Sequence, residues 1–450
     1  MHLYELTATE AVRAMRTGQT SPVELVRALL DRIAATEPRV QAWETLDAEG
    51  ALAAARHLEA KRREYQPRDL LFGLPVGLKD IFLVRGLPTT ASFDPWRGAI
   101  AGEDSGVARH LREAGAIVLG KTVTTQFATA FEGEKTRNPW NLDRSPGGSS
   151  SGSAAAVAAR QVPAGIGTQT SGSTLRPAAY CGVVALKPTF GRLSRYGLQP
   201  GAWTLDHPGI IVRTVADAAL VFQALARHDA RDPFSLRQEP EDFVAAVAQP
   251  LDTSRRPRLG LVRDLLDRAE PDVRAAAQAA AERLRAAGCE VQETRLPVPM
   301  SLILAVHRIH RLSEGSAGHL EDHAQYADHF RPSARAIVEV GQLIPAAVYV
   351  QASRLRRRLR TPMLDWLSQL DAVVGPTAPT LPPAPSLTGD PSFQSIWSLV
   401  GVPNVTLPTT LSPERLPHAI QLVAGPLQER RLLRLAARCE ALFDPLPSPL

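Results

Sequence analysis

Apolar and polar positions change period several times along this chain. The first 65 residues place apolar side chains at helical spacing. Ser21-Pro22-Val23-Glu24 is a capping box with proline in the first turn, which predicts a helix running toward Ala35. From Leu74 the pattern shortens to that of strands. LPVGLKDIFLV predicts one strand, Asp104-Ser105 caps a helix through Ala114, and Ala116–Gly120 predicts a second strand. Thr214 and Asp217 cap a helix to about Arg227, Arg258–Val262 reads as a short strand, and Pro271 to Gly288 reads as a helix with proline near its start and glycine after its end. Residues 299–370 read as mostly helical and polar. Asp371–Gly375, Asn404–Leu407 and Ala419–Val423 return as strands, Gln428–Phe443 closes as a helix, and the proline-rich Thr377–Pro391 predicts a loop over one end of the sheet. Alternation of this kind predicts an α/β layer fold.

The bulk numbers change this picture little. A length of 450 residues would by itself suggest about three domains, but no break in composition divides the chain. An apolar fraction of 44% with 22% charged residues is that of an ordinary soluble protein, and no apolar run approaches the ~18 residues of a membrane span. A net charge of +5 is small for this length, so no nucleic-acid partner and no membrane surface are expected. The three cysteines, Cys181, Cys289 and Cys439, are far apart and odd in number, which supports neither a disulfide framework nor a zinc site. The N-terminus lacks a charged start followed by an apolar core, so a cytoplasmic location is expected. Lysine is scarce, with five against 46 arginines, so any lysine in a candidate site stands out.

The chemistry concentrates between Pro146 and Pro188, PGGSSSGSAAAVAARQVPAGIGTQTSGSTLRPAAYCGVVALKP. Two glycine–serine clusters flank an alanine-rich helical run and a short apolar segment, Val162–Gly167. The first cluster, Gly147–Ser153, has three competing readings. As a linker it would be flexible, yet it runs directly into a helix. As a phosphate loop it has glycines at the right spacing, but Ser153 stands where lysine belongs. As a nucleophile elbow it offers Gly148-Ser149-Ser150-Ser151-Gly152, but the preceding NPWNLDRSP is loop rather than strand, which argues against Ser150 as nucleophile. The second cluster, Thr170-Ser171-Gly172-Ser173, reads either as an ordinary turn or as a nest of backbone N–H groups able to hold an oxyanion.

A serine nucleophile needs a base, and no histidine lies between His110 and His207. Lys79 ends an apolar strand, where it is either a buried functional group or an edge residue. Five histidines, His307, His310, His319, His323 and His329, have spacings that a metal would accept, although a solvated helical face fits as well. Five arginines between Arg354 and Arg360 read as a solvated helix face or a contact for an acidic partner.

Taken together, PVGLKD, GAIVLGKTVTTQFA, TRNPWN, PGGSSSGSAAAVAA, the turn ending in Ser173, RPAAYCGVVALKPTFGR, LDHPG, GPTAPT and the QLV strand resemble the amidase signature family, in order and spacing and over nearly the whole chain. The resemblance implies one α/β domain over residues 1–450, with a central mixed sheet flanked by helices. Within it, residues 1–65 would form a helical N-terminal part, 70–230 the catalytic core and 299–370 a mostly helical, substrate-side part. The resemblance also implies a Ser–cis-Ser–Lys triad. Its lysine maps onto Lys79, its bridging serine onto Ser149 and its nucleophile onto Ser173, with the oxyanion hole at Thr170, Ser171 and Gly172. Such a lysine must lose its proton near neutral pH, well below the free value of about 10.4, and burial pushes in that direction.

The chain departs from the family pattern in four places. Gln169 replaces an aspartate, Ser171 replaces a glycine, the arginine after the nucleophile is displaced to Arg176, and Gln126 stands where glutamate is frequent. The expected activity is amidase hydrolysis of a small amide with no cofactor and no metal, by the chain alone or as a homodimer. Phe131, Trp203 and Trp397 are the expected pocket residues. KPTFGRLSRYGL also resembles the glutaminase subunit of a tRNA-dependent amidotransferase, whereas QPGAWTLDHPG looks more like free amidases. A catalytically silent binding protein of the same fold is the reading from another class, and the complete Lys79, Ser149 and Ser173 set argues against it.

Overall fold

Strands with no polar face belong in the middle of a sheet covered on both sides. Pro75–Lys79 and Ala164–Gln169 are buried at every position, and they pair side by side in parallel. The computed structural model describes residues 2–61, 64, 66, 69–249 and 256–450. Among them, eleven strands form one mixed sheet. These are β1 (Trp43–Leu46), β2 (Pro75–Lys79), β3 (Ile117–Thr122), β4 (Ala164–Gln169), β5 (Val184–Lys187), β6 (His207–Val212), β7 (Arg258–Val262), β8 (Glu290–Thr294), β9 (Ala372–Pro376), β10 (Asn404–Leu411) and β11 (Pro417–Val423). Their order across the sheet is β1-β3-β2-β4-β6-β5-β10-β11-β9-β7-β8. β2 runs parallel to both neighbours, and β7 likewise, while the contacts from β4 through β6, β5, β10 and β11 to β9 are antiparallel. The expected single α/β domain with a central mixed sheet is the architecture found.

The alanine-rich run is a helix and not a linker. Ser151–Ala158 is buried at all eight positions and packs against β4. Small side chains let it approach that closely. A Cβ on Gly152 would come within 2.2 Å of the Ala42 carbonyl and 2.4 Å of the Val123 nitrogen, so only glycine fits at its first turn.

Several expected elements shift. Ser21 does cap a helix, through the reciprocal bonds with Glu24, but that helix is Pro22–Val40 and runs past Ala35. The Glu37 carboxylate then accepts the N–H groups of Ala42 and Trp43, which turns the chain into β1. This strand interrupts a region expected to be helical throughout. It is fixed by tertiary contact, since it pairs antiparallel with β3 while the buried Trp43 indole donates to Gln161. Residues 299–370 are helical, as Met300–Ala317, Leu320–Tyr326, Pro332–Gln342 and Ala346–Ser368 with short connections. The arginine run is not simply a solvated face. Arg356 donates to Leu399 and Thr204 carbonyls and Arg360 to that of Val400, so two of the five clamp a neighbouring helix end. No single helix among the described residues is long and apolar enough to cross a membrane.

Candidate active site

Ligands of open α/β sheets gather at the carboxyl ends of parallel strands. Lys79 is the last residue of β2, and the Thr170–Ser173 turn follows β4, its parallel neighbour. The strand order therefore brings the lysine and the second glycine–serine cluster to one end of the sheet. Ser149 arrives from the loop that enters helix Ser151–Ala158, and the Ser150 N–H, next in the chain, donates to the Ser173 carbonyl at 3.2 Å. The peptide bond between Gly148 and Ser149 is cis.

Lys79 is fully buried. Its Nζ lies 2.6 Å from Ser149 Oγ and 2.8 Å from Thr168 Oγ1, two hydroxyls and no carboxylate. Desolvation holds the amine well below its ordinary range, and the nearest opposing influence is the charge of Asp206. A neutral amine at that distance has a lone pair for the serine proton. Thr168 fixes the amine from a second side and was not singled out by sequence, because it sits unmarked inside a strand. Next to Lys79, Asp80 forms a buried ion pair with Lys121 at 2.7 Å. Buried pairs of this kind roughly break even in stability, so the contribution here is to hold the strand end in place.

The turn is built from side chains that support its backbone. Gln169 Oε1 accepts the N–H groups of Thr174 and Leu175, both at 3.1 Å, and its amide donates to Ser398, whose hydroxyl donates in turn to the Ser171 carbonyl. The amide thus ties down the turn where an aspartate was expected. Arg176, displaced by one place, reaches the Gly148 carbonyl at 2.6 Å and so holds the peptide leading into Ser149. Asp206, inside the LDHPG motif, accepts from the Thr170 hydroxyl and from the N–H groups of Gly201 and Ala202. Burial raises its pKa against those bonds. Among the described residues, no acceptor takes the N–H groups of Ser171, Gly172 and Ser173. Unpaired, fixed N–H groups are what an oxyanion requires. A Cβ on Gly172 would come within 2.6 Å of Gln394 Oε1 and 3.3 Å of Pro391, so a larger residue there would have to displace the Gln394 side chain.

Ser149, Thr170, Ser171 and Ser173 line one narrow cleft. Thr388 and Pro391 form part of its wall, which places the proline-rich segment over this end of the sheet as expected. Of the three expected pocket residues, Phe131 lines the cleft and two lie elsewhere. Trp397 is fully buried in a hydrophobic cluster under helix Ser392–Val400, and Trp203 is half exposed, packed edge-on against Phe234 with Arg195 over its ring. Arg311, which no sequence argument picked out, reaches the cleft from helix Met300–Ala317.

The histidine cluster disperses. His307 Nε2 faces the Thr170 carbonyl at 3.1 Å, and burial lowers its pKa to about 3, so a neutral ring supports the turn. His310 contacts Val306 and Ser353, His319 lies tilted against the Phe127 ring, and His323 Nε2 lies 3.5 Å from a Glu339 carboxylate oxygen. Among the described residues, no group of three or more His, Cys, Asp or Glu is placed to hold a metal ion. Prolonged dialysis against a strong chelator is expected to leave activity unchanged. A loss restored by zinc or manganese would contradict that expectation.

A family model for amidases matches residues 24–433. The chain belongs to the amidase family. This amidase is 36% identical to a subunit of the glutamyl-tRNA(Gln) amidotransferase of Roseiflexus castenholzii, over 98% of its own length and 96% of that protein's. It is 35% identical to the corresponding protein of Salinispora arenicola, over 99% of each chain. Among solved structures, the native peptide amidase of Stenotrophomonas maltophilia superposes with a TM-score of 0.85 at 30% identity, covering 99% of this chain and 98% of that one. An inhibitor-bound chain from a vestigial protein complex, tied to the origins of an s-triazine catabolic enzyme, superposes at 0.91 with 29% identity over 98% and 100%.

Proposed function

We propose that this amidase hydrolyses a carboxamide C–N bond through an acyl-enzyme on Ser173, with Lys79 as base and Ser149 as proton carrier. The observation that carries this reading is the buried Lys79 amine, 2.6 Å from Ser149 Oγ with two hydroxyls and no carboxylate among its hydrogen-bond partners. Lys79 accepts the Ser149 proton while Ser149 accepts that of Ser173. The Ser173 oxygen bonds to the amide carbon, and the resulting oxyanion rests on the N–H groups of the Thr170–Ser173 turn. The carrier returns the proton to the leaving nitrogen as the C–N bond breaks. Water, deprotonated along the same route, then releases the carboxylate and restores Ser173.

A second reading has support of its own. The full-length relatives at 35–36% identity are components of glutamyl-tRNA(Gln) amidotransferases. They favour release of ammonia from glutamine in the service of a partner, over the hydrolysis by the chain alone that the sequence analysis put first. Ammonia release by the purified chain separates the two. Hydrolysis of a simple primary amide without tRNA, ATP or other subunits is expected for a self-sufficient amidase. Activity confined to glutamine, and appearing only when partner subunits are added, would establish the second reading.

A further inference from the structure

An oxyanion is held only while the turn N–H groups keep one direction. In this chain that direction is set from behind. The peptides of the Thr170–Ser173 turn are trans, so each N–H points away from the carbonyl of its own peptide unit. Fixing a carbonyl therefore aims the N–H of the next residue. The Thr170 carbonyl accepts from His307 Nε2 at 3.1 Å, the Ser171 carbonyl from Ser398 Oγ at 2.9 Å, and the Gly172 carbonyl from the Arg176 N–H at 3.0 Å. The third bond is a backbone one that enters helix Leu175–Tyr180. The first two come from side chains far along the chain, His307 on helix Met300–Ala317 and Ser398 on helix Ser392–Val400.

A carbonyl oxygen only accepts, which places both protons. His307 carries its proton on Nε2, and at 4% exposure the ring has little freedom to swing away. Ser171 Oγ, where the family pattern has glycine, lies 3.4 Å from the same nitrogen. Ser398 is fully buried, and its oxygen accepts from the Gln169 amide, which leaves its one proton for the Ser171 carbonyl. The Gln169 amide is held in this orientation because its oxygen takes the N–H groups of Thr174 and Leu175. A carboxylate at 169 offers only acceptors and would compete for the Ser398 proton. The glutamine that departs from the family pattern thus frees Ser398 to aim the turn.

We propose that His307 and Ser398, the latter oriented by Gln169, are positioning residues that aim the Ser171 and Gly172 N–H groups at the oxyanion. Neither lines the cleft with Ser173, so both act through the turn backbone. The proposal rests on the amide-hydrolase reading of the same site.

The test pairs turnover with binding of a transition-state mimic. The Ser173 oxygen can bond to the ketone carbon of 2,2,2-trifluoroacetophenone, its proton passing toward Lys79, which leaves an alkoxide where the oxyanion forms. The matching alcohol, 1-phenyl-2,2,2-trifluoroethanol, cannot form that adduct. Removing an oxyanion donor costs about 10²–10³-fold in kcat, and loosening its aim costs less. His307→Leu and Ser398→Ala are each expected to lower kcat by roughly 10- to 100-fold, with KM moved by less than about 3-fold. Ketone inhibition should weaken by the same factor as kcat/KM, with inhibition by the alcohol unchanged. His307→Gln keeps an N–H donor and should recover most of the loss. Ser398→Ala removes a single oxygen and carries the test alone should His307→Leu fail to fold. Unchanged kcat and ketone affinity would overturn the proposal, as would equal losses for ketone and alcohol, or a wild-type chain that does not bind the ketone. Ketone binding that follows the variants without turnover of any amide would uphold it and count against the hydrolase reading instead.

Discussion

Lys79→Met is expected to lower kcat/KM by three to five orders of magnitude. At ~1.4 kcal/mol per factor of ten, this corresponds to about 4–7 kcal/mol of lost barrier reduction, in keeping with removal of the base from a unit that acts together. Lys79→Arg should fail almost as badly, because a guanidinium does not give up its proton and cannot serve as base. Wild-type activity should fall as the pH is lowered through the Lys79 pKa, since protonation abolishes the base. Steady-state kinetics of both variants check this, and near-normal activity in either would remove Lys79 from the mechanism.

The same residue has a stability consequence of opposite sign. Burial depresses the Lys79 pKa in the folded chain, so the unfolded chain binds the additional proton. Stability contributed at this position therefore rises with pH between the folded and unfolded pKa values, and is least on the acid side. Methionine has similar length and no charge to desolvate. Lys79→Met should accordingly unfold at a temperature equal to or above that of the wild type at pH 7, while being inactive. Loss of both fold and activity in this variant would show that the amine is needed structurally.

Ser173→Ala carries the second large effect. Its hydroxyl is the only atom removed, yet no covalent intermediate can form without it. Turnover is expected to drop by at least 10³-fold, the residue of activity coming from the turn N–H groups and substrate binding alone. Because Ser173 is small and lies at the cleft surface, 9% exposed, the substitution should leave folding intact. Ser149→Ala does not replace this test, since loss of the carrier and loss of the nucleophile both slow the rate.

Much of this was legible in the residues. An apolar strand ending in lysine, and a glycine-containing turn closing on serine, carry their own physical signals, and Arg258–Val262 occurs where the pattern placed it. What escaped was fixed by distant contacts. β6 begins His207-Pro208-Gly209, a Pro-Gly pair with no strand pattern, yet it is held between β4 and β5. β8 is an outer strand with mostly exposed or half-buried positions, so it carries little apolar pattern. Thr168 and Arg311 reach the site through sheet neighbours and a helix far along the chain, and nothing periodic announces them. Trp397 misled for the opposite reason, since an aromatic side chain on an apolar helix is core more often than pocket, and here the whole of Ser392–Val400 is buried. The replaced aspartate and the displaced arginine were visible in the sequence only as departures from the family pattern. In three dimensions Gln169 holds the turn and Arg176 holds the entry to Ser149.

The identity of the nucleophile is the centre of the account, and covalent labelling reads it directly. A serine-directed sulfonyl fluoride should add one equivalent to the intact chain and abolish activity in step, with peptide mapping placing the adduct on Ser173 and Ser173→Ala taking up none. An adduct on Ser149 or Ser150 instead, with Ser173 unmodified, would contradict it.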